Sequence, residues 1–347
     1  MFETLPKAVA ERAQFGKTLT GIDSGDNGGI IISFMDGSSA GPFDLVVGCD
    51  GIKSAVKEYI QTGKISKDAA KREAAVYSGI RIRYAVQDGD DSTRSLDTSE
   101  LRQYFGEGAY ALTGTYGAGA GRPPAKSAFI ISLDKDYFGP FKKPEAKTSQ
   151  TVNENADWTQ DVRAPASSRD VMMQQVKDCR IPTVDVVPTI ENADRFFELG
   201  VYFHNPFSLS GWSKEVPGAN AYCTLSGDAA HAMPPFLGQG SNQAIQDAYA
   251  LAKKIYEHNA RSLGTFVVSS IDSEGDEKKE VNLKTLLKEY EQLRWETTTS
   301  ISAKAGFLGY LEASEGFLAK FRDVFFSTMF RTGIARNIFL GAAIPKV

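Results

Sequence analysis

The stretch LSGDAAHAMPPFLGQGSNQAIQDAYALAKK, residues 225–254, decides the fold of this chain. It opens as a short β-prone run, and the prolines at 234–235 then exclude a helix because proline lacks an N–H and fixes φ. Gly238 and Gly240 let the backbone come close to another group, since neither carries a Cβ. From Ser241 onward the spacing of apolar residues predicts a helix.

That helix is expected to bury one apolar face. The residues that recur at helical spacing are Ala244, Ile245, Ala248, Leu251, Ala252 and Ile255. A glycine loop that opens a helix presents free backbone N–H groups and the positive end of the helix dipole. We therefore expect an electron-rich ligand group at the start of this helix.

The composition is that of an ordinary soluble globular protein of 347 residues, enough for one large domain or two to three smaller ones. With 39 basic and 43 acidic residues the net charge is −4, and no basic stripe points to nucleic acid. The three cysteines lie far apart, so we expect neither a metal site nor a disulfide scaffold. The chain shows no signal peptide and no apolar run long enough to span a bilayer. We expect a soluble intracellular protein, cytoplasmic or within an organelle.

The organising run resembles the second FAD signature of the class A, p-hydroxybenzoate hydroxylase-type monooxygenases. In that family the pattern is Gly-Asp-Ala-Ala-His, then Pro, then Gly-Gln-Gly-x-Asn, then Asp-Ala. The matching residues are Gly227 to His231, Pro235, Gly238 to Gly240, Asn242, Asp247 and Ala248. The match is long enough to identify the chain as a member of this flavin-dependent family.

A second segment resembles the family's other signature, Gly-x-Asp-Gly-x-x-Ser-x-Val-Arg. Residues 43–48 predict a buried parallel strand, and a helix that ends at Gly63 follows it. The matching residues are Gly48, Asp50, Gly51, Ser54 and Val56. In the family this segment lies beside the ribityl chain of the flavin and the path of the pyridine nucleotide. The family's arginine is Lys57 here, and lysine keeps the charge but loses the bidentate fork.

The resemblance implies an α/β fold of mixed α+β type. A partial FAD-binding Rossmann-like domain comprises residues 1–75 and 218–260. An inserted antiparallel β-sheet, the substrate domain, spans residues 76–217 and is supported by β-prone runs between glycine-rich turns. Residues 261–347 form a C-terminal helical region that packs as core, with peripheral membrane or partner contact as the alternative.

The family's N-terminal strand, Gly-x-Gly-x-x-Gly loop and helix have no counterpart in the sequence. In the family that unit carries the pyrophosphate and ribose of FAD. We therefore expect a truncated or degenerate family member. The absent strand is expected beside the strand at residues 224–227, where its loss would leave an exposed apolar edge.

The resemblance implies an enzyme, an FAD-dependent monooxygenase that hydroxylates or epoxidises a small aromatic or alkene substrate. FAD is the implied cofactor, NAD(P)H the co-substrate, and a flavin C4a-hydroperoxide the species that transfers oxygen from O2. Two alternatives remain open. One is a non-catalytic remnant that binds a partner protein, and the other is a flavin dehydrogenase or reductase without oxygen transfer.

The resemblance also implies roles for individual residues. Those expected next to the chemistry are Pro235, Gly238 and Gln239. Those expected to bind the cofactor are Asp50, Gly51, Gly227, Asp228, Gly238, Gly240, Ser241 and Asn242. Amides near the start of the helix would stabilise charge on the N1–C2=O edge of the reduced flavin. His231 is expected to support the loop rather than to transfer protons, and no metal ligands are expected.

Overall fold

The structure is a computed structural model, and it describes residues 9, 11–66, 75–89, 100–117, 123–134, 166–208, 210–262 and 282–333. The parts of the predicted domains that fall between these ranges, and residues 334–347, lie outside the described residues. A mixed α/β fold is present, as predicted.

Strands and helices alternate irregularly along the chain. The strands are β1 (Leu19–Ser24), β2 (Ile30–Phe34), β3 (Ser39–Phe43), β4 (Leu45–Gly48), β5 (Val76–Gln87), β6 (Leu101–Phe105), β7 (Ala109–Tyr116), β8 (Ala125–Leu133), β9 (Arg195–Phe203), β10 (Ser213–Val216) and β11 (Ala221–Leu225). The helices are α1 (Ala55–Thr62), α2 (Ala166–Asp178), α3 (Val186–Glu191), α4 (Asp228–His231), α5 (Gly240–Ser262), α6 (Leu283–Glu312) and α7 (Phe317–Thr332). A 3-10 turn, Pro235–Leu237, precedes α5.

A three-stranded sheet in the order β10-β11-β4 brings the two signature segments together. β11 runs parallel to β4, with Leu225 opposite Gly48 at their carboxyl ends. The predicted parallel strand at residues 43–48 is interrupted at Asp44, because the residues before it pair with β2 in a separate antiparallel sheet. The ends of β4 and β11 therefore place the loops that follow them side by side.

The expected position of an absent strand beside residues 224–227 is wrong. Strand β11, which contains Thr224, pairs with β10 on one side and with β4 on the other. Neither of its edges can therefore accept another strand. Among the described strands of this sheet, β10 and β4 are the two edge strands.

The antiparallel sheet predicted between the two signatures is present, in the order β6-β7-β8-β5-β9. Side chains alternate between its faces along β5, as the period of a strand requires. On one face Arg81 forms ion pairs with Asp134 and Glu198, each at 2.6 Å. On the other face Tyr84 stacks between Phe129 and Phe197, with ring centroids 5.1 and 4.6 Å away.

The apolar face predicted for α5 is correct only in part: Leu251 is buried, and Ala244 and Ile255 are half-buried. Ile245 is 68% exposed, and Ala248 and Ala252 are exposed as well. The described residues that α5 buries are Gln243, Gln246, Asp247, Ala250, Leu251 and Ala260. The helix turns its polar side chains inward because they pair with a buried arginine on α6, described below.

The C-terminal helix α7 is held against the antiparallel sheet by a buried arginine. Arg322 donates from Nη1 to the carbonyl oxygens of Gly106, at 2.9 Å, and Glu312, at 3.0 Å. Its guanidinium also lies over the ring of Phe105, 4.8 Å from the centroid. Among the described residues, no helix combines the length and apolar composition needed to cross a bilayer.

Candidate cofactor-binding site

The loop between β11 and α5 begins with a glycine in the left-handed region. Gly227 has φ 61° and a buried N–H that donates to Asp247 Oδ2 at 2.8 Å. A side chain at this position would be strained, and its Cβ would lie 3.2 Å from Ala244 Cβ. Gly227 thus fixes the start of the loop, and its amide is not free for a ligand.

The start of α5 presents unused backbone donors. Gln243 N–H donates to Gln239 O at 2.9 Å, so the amides of Gly240, Ser241 and Asn242 have no acceptor within the helix. Ser241 and Asn242 are exposed. These three amides and the positive end of the helix dipole form a site suited to an electron-rich group.

Two glycines keep the approach to these amides open. Gly238 has φ 61°, and a Cβ added to it would meet no atom within 4 Å. A Cβ on Gly240 would meet only Asp228 Oδ1, at 4.0 Å, so the exposed Asp228 carboxylate lies beside the helix start. The residues present therefore form an open cradle that a flat ring could approach.

The remaining loop residues have different environments. Pro235 is exposed at the start of the 3-10 turn. Gln239 is buried, and its Oε1 accepts from Asn242 Nδ2 at 3.4 Å. Gln239 therefore orders the first turn of α5 from within.

The segment that contains Gly48, Asp50 and Gly51 lies next to this loop, but the Asp50 carboxylate already accepts hydrogen bonds. Its carboxylate accepts the N–H of Ala55 at 2.6 Å and the hydroxyl of Ser54 at 2.5 Å, and so caps α1. Gly51 has φ 79° and open space where a Cβ would stand. Gly51 is half-buried and Asp50 is exposed, and the Asp50 carboxylate spends its two oxygens on the start of α1. Ser226 N–H donates to Gly48 O at 3.0 Å, which joins the two segments.

A buried ionic network lies under the loop, and the sequence analysis did not anticipate it. Asp247 Oδ2 accepts from His231 Nε2 at 2.6 Å, and Oδ1 accepts from Arg294 Nε at 2.7 Å. Burial alone would raise the pKa of Asp247, but the bonds from His231, Arg294 and the Gly227 N–H outweigh it and hold the pKa below its ordinary value.

Arg294 completes this network from helix α6. Its Nη2 donates to Gln243 Oε1 at 2.6 Å and its Nη1 to Gln246 Oε1 at 3.2 Å. Tyr290, one turn earlier, donates to Leu225 O at 3.0 Å. The sequence signal was available, because Gln243, Gln246 and Asp247 share one side of α5 at helical spacing.

The turn before α5 faces the antiparallel sheet. Phe236, Ile82 and Phe129 pack against the same buried cluster, which contains Ile80 and Ile131, on the sheet face opposite to the Arg81 ion pairs. Gly309 of α6 lies against the same ring, and a Cβ there would stand 2.2 Å from two of its carbons. An apolar, aromatic surface is therefore placed next to the turn that leads into the cradle.

Comparison with known proteins agrees with this arrangement. A family profile described as an FAD binding domain matches residues 222–265, which contain β11, the loop and α5. The FAD-dependent monooxygenase janM of Penicillium janthinellum is 24% identical over 301 residues, covering 86% of this chain and 52% of its own. A salicylate hydroxylase of Pseudomonas putida is 26% identical over 271 residues, covering 74% of this chain and 52% of its own. The chain spans about half the length of these curated relatives.

Solved structures show the same fold. HpxO of Klebsiella pneumoniae, complexed with FAD and uric acid, superposes with a TM-score of 0.57 at 18% identity, over 96% of this chain and 67% of that one. The anhydrotetracycline hydroxylase OxyS of Streptomyces rimosus superposes with a TM-score of 0.52 at 14% identity, over 96% of this chain and 55% of that one.

The chain has a mixed α/β fold, and its segment 222–265 matches an FAD binding domain profile. Over most of its length the chain is similar to FAD-dependent monooxygenases, at 24–26% identity to the relatives named above.

Proposed function

We propose that the protein to which this chain belongs is an FAD-dependent monooxygenase that hydroxylates or epoxidises a small aromatic or alkene substrate with NAD(P)H and O2. The observation that carries the proposal is the set of unused amides at Gly240, Ser241 and Asn242 beside the open Gly238. They lie at the carboxyl end of parallel strands, where α/β sheets bind their ligands. The names of the relatives agree with this reading.

FAD, when bound, supplies the redox chemistry that takes electrons from NAD(P)H and activates oxygen. The amides from Gly240 to Asn242 would donate to the electron-rich edge of its ring, and Gly238 would allow the ring to approach. Asp228 would accept hydrogen bonds from the ribityl region. Pro235 would shape the face of the pocket, while Gln239 keeps Asn242 in place.

Asp50 and Gly227 support the cofactor from behind in this proposal. Asp50 caps α1 and so fixes the backbone at Gly51, which is the group that would approach FAD. Gly227 anchors the loop to Asp247 through its N–H. Both residues position the cradle without offering a free donor of their own.

We propose the following division of the chain. Residues 1–75 and 218–260 form the FAD-binding domain, 76–217 the substrate domain and 261–347 the C-terminal helices. Because β10 pairs with β11, it favours an earlier end for the substrate domain, nearer to residue 204 than to residue 217. The apolar sheet face at Ile82, Phe129 and Phe236 supports the substrate assignment, because an aromatic substrate needs such a surface.

Helix α7 supports a further contact with a membrane surface. It exposes a set of large apolar side chains, namely Phe317, Leu318, Phe321 and Val324. Lys320 lies alongside them on the exposed side of the helix. The protein should co-sediment with vesicles of anionic phospholipid, and the Phe321→Glu variant should remain in the supernatant. Equal retention of both proteins would contradict this contact.

The cofactor proposal is tested by titrating the purified chain with FAD and following flavin fluorescence. Gly238→Ala should weaken FAD binding at least tenfold. Gly37→Ala is the matched control, because Gly37 also has a positive φ, of 81°, and open space around its Cβ position. The control should lose similar stability and bind FAD as the wild type does. Equal affinities for all three proteins would refute the cradle.

The reaction is tested separately by incubating the FAD-loaded protein with NAD(P)H, O2 and a panel of phenols and alkenes. Incorporation of one atom of labelled oxygen into a product supports the monooxygenase. Oxidation of NAD(P)H that yields only hydrogen peroxide with every substrate would favour the flavin dehydrogenase or reductase instead.

A further inference from the structure

A cavity of about 230 Å³ lies behind the cofactor loop, between α1, the segment that precedes β10, and α6. Its inner wall contains Lys57, His231 and Ser302, all buried. Its rim contains Asn205 and Ser208, both exposed, so solutes can reach it from solvent. None of the residues expected to bind the cofactor lines this cavity.

Lys57 brings a positive charge into the cavity, and the part of the chain that the structure describes supplies no counter-ion for it. Its Nζ donates to His204 Nδ1 at 2.8 Å and to Ala230 O at 3.3 Å. His204 Nε2 in turn donates to Ile52 O, so the ring is neutral and Nδ1 accepts. No carboxylate of the described residues lies within 4.0 Å of Lys57 Nζ.

The pKa values agree with a site that is short of negative charge. Burial, and after it the charge of Lys57, lowers the pKa of His204 to about 4. Burial lowers the pKa of Lys57 to about 8, so the ammonium still carries its charge at neutral pH. A buried charge without a partner is costly, and an anion would remove that cost.

Two further polar atoms of the cavity wall have no partner among the described residues. They are His231 Nδ1 and Ser302 Oγ, and both are buried. Because His231 donates from Nε2 to Asp247, its Nδ1 carries a lone pair when the ring is neutral. The cavity thus offers two donors, from Lys57 and Ser302, and one acceptor. Buried groups of this kind normally have a partner.

We propose that this cavity binds a small free oxyanion that also carries a hydroxyl, of the hydrogen phosphate type. Its oxygens accept from Lys57 Nζ and Ser302 Oγ, and its hydroxyl donates to His231 Nδ1. The cavity is smaller than the roughly 300–1,000 Å³ typical of sites for drug-sized ligands, which favours an inorganic ion over a dinucleotide. The site does not depend on FAD, so it stands or falls independently of the proposed function.

The test uses the full chain and sodium phosphate at pH 7, with sodium chloride at equal ionic strength as the reference salt. Tryptophan fluorescence is the readout, because Trp212 lies 5.3 Å from the His231 ring and Trp295 lines the cavity. Phosphate should produce a saturable change with a millimolar Kd. A response that never saturates, or that chloride reproduces, would overturn the assignment.

Variants then locate the site. Lys57→Met should raise the Kd for phosphate at least tenfold, and Lys64→Met, at an exposed lysine, should leave it unchanged. Ser302→Ala should raise the Kd several-fold yet keep the unfolding midpoint without phosphate, since its hydroxyl has no partner to lose. Unchanged affinity in both Lys57→Met and Ser302→Ala would reject the site. Displacement of phosphate by equimolar NADP+ would assign the cavity to the co-substrate and reject the free oxyanion.

Discussion

Asp247 joins three parts of the molecule through one carboxylate. It accepts from the Gly227 N–H at the start of the loop, from His231 in α4 and from Arg294 in α6. Asp247 and Arg294 are both fully buried. Because neither charge can reach water, each depends on the other, and the loop depends on both.

Asp247→Asn should therefore be strongly destabilising. Loss of the charge leaves Arg294 buried without a counter-ion, which typically costs about 3–5 kcal/mol in the free energy of unfolding. Urea denaturation at pH 7 measures the change. Glu289→Gln is the control, since Glu289 pairs with Lys254 at 2.7 Å across the same two helices but at the surface. That variant should lose less than about 1 kcal/mol.

The pH dependence of stability provides a second check on Asp247. Its pKa is lower in the folded protein than in the unfolded chain, so its contribution is fully present above about pH 4. The contribution is lost as the pH falls through the lower folded value. The wild type should lose stability steeply in that acid range. Asp247→Asn should show a smaller loss, and an identical acid profile for both proteins would contradict the role assigned to this carboxylate.

Lys57 should give a slope of the same sign, but at alkaline pH. Its pKa is lowered to about 8 by burial, whereas the unfolded chain titrates near the ordinary lysine value of about 10.4. Between these values the unfolded state binds more protons, so stability should rise with pH. Lys57→Met should be more stable than the wild type at pH 7 in phosphate-free buffer and should lack this rise. Thermal unfolding from pH 7 to 10 measures both effects.

At the scale of secondary structure, the contact between α6 and the turn before α5 requires a residue without a side chain, Gly309. Gly309 lies on α6 where a Cβ would stand 2.2 Å from the ring of Phe236. Gly306, on the same helix, has no atom within 4 Å of its Cβ position. The two glycines differ in what they touch and share the same helical backbone.

Gly309→Ala should displace Phe236 and cost about 1–3 kcal/mol, as overpacking does in well-packed contacts. Gly306→Ala should instead stabilise the protein by up to about 1 kcal/mol, because alanine favours a helix over glycine. Chemical denaturation compares the two variants. Equal effects of the two substitutions would mean that the contact with Phe236 carries no energy.

The strands and helices next to the signatures were predictable because local spacing determines them. The parallel strand ending at Gly48 and the helix that closes at Gly63 were both found where the pattern placed them. The buried face of α5 was not predictable. The apolar spacing at Ile245 and Ala248 indicates one face, whereas the helix buries another face that pairs with Arg294 of a distant helix. The polar side of α5 is visible in the spacing of its residues, but local sequence does not identify the partner, which lies 48 residues away.

In the candidate site, too, some features could be predicted from the sequence and others could not. The glycines at 227, 238 and 240 could be recognised as special because only glycine adopts such backbone geometry freely or permits such close approach. The capping role of the Asp50 carboxylate could not be predicted, because it depends on the position of the start of α1 relative to β4. The cavity at Lys57 could not be predicted either, since its walls come from five separate parts of the chain.

At the scale of the whole molecule, the outer side of α5 is an apolar surface open to solvent. Ile245, Tyr249 and Tyr256 are 68%, 57% and 67% exposed, at spacings of four and seven residues. Contiguous apolar patches of this kind mark contact surfaces. The chain alone should therefore self-associate at high concentration.

Ile245→Glu should reduce that self-association, because it places a charge in the centre of the patch. The free energy of unfolding should change by no more than about 0.5 kcal/mol, as for other exposed positions. Sedimentation velocity measures the association. Val171→Glu is the control, at an isolated exposed valine on α2, and it should leave association unchanged. Equal behaviour of the two variants would exclude the α5 patch as the contact.

Arg322 has a consequence for how the fold opens. One guanidinium group holds the carbonyl at Gly106, in the turn between β6 and β7, and the carbonyl at Glu312, at the end of α6. More than 200 positions along the chain separate these two attachments. Breaking either one exposes the buried cation, so the turn and the helix end should exchange their amide protons for deuterium together, as a single cooperative unit.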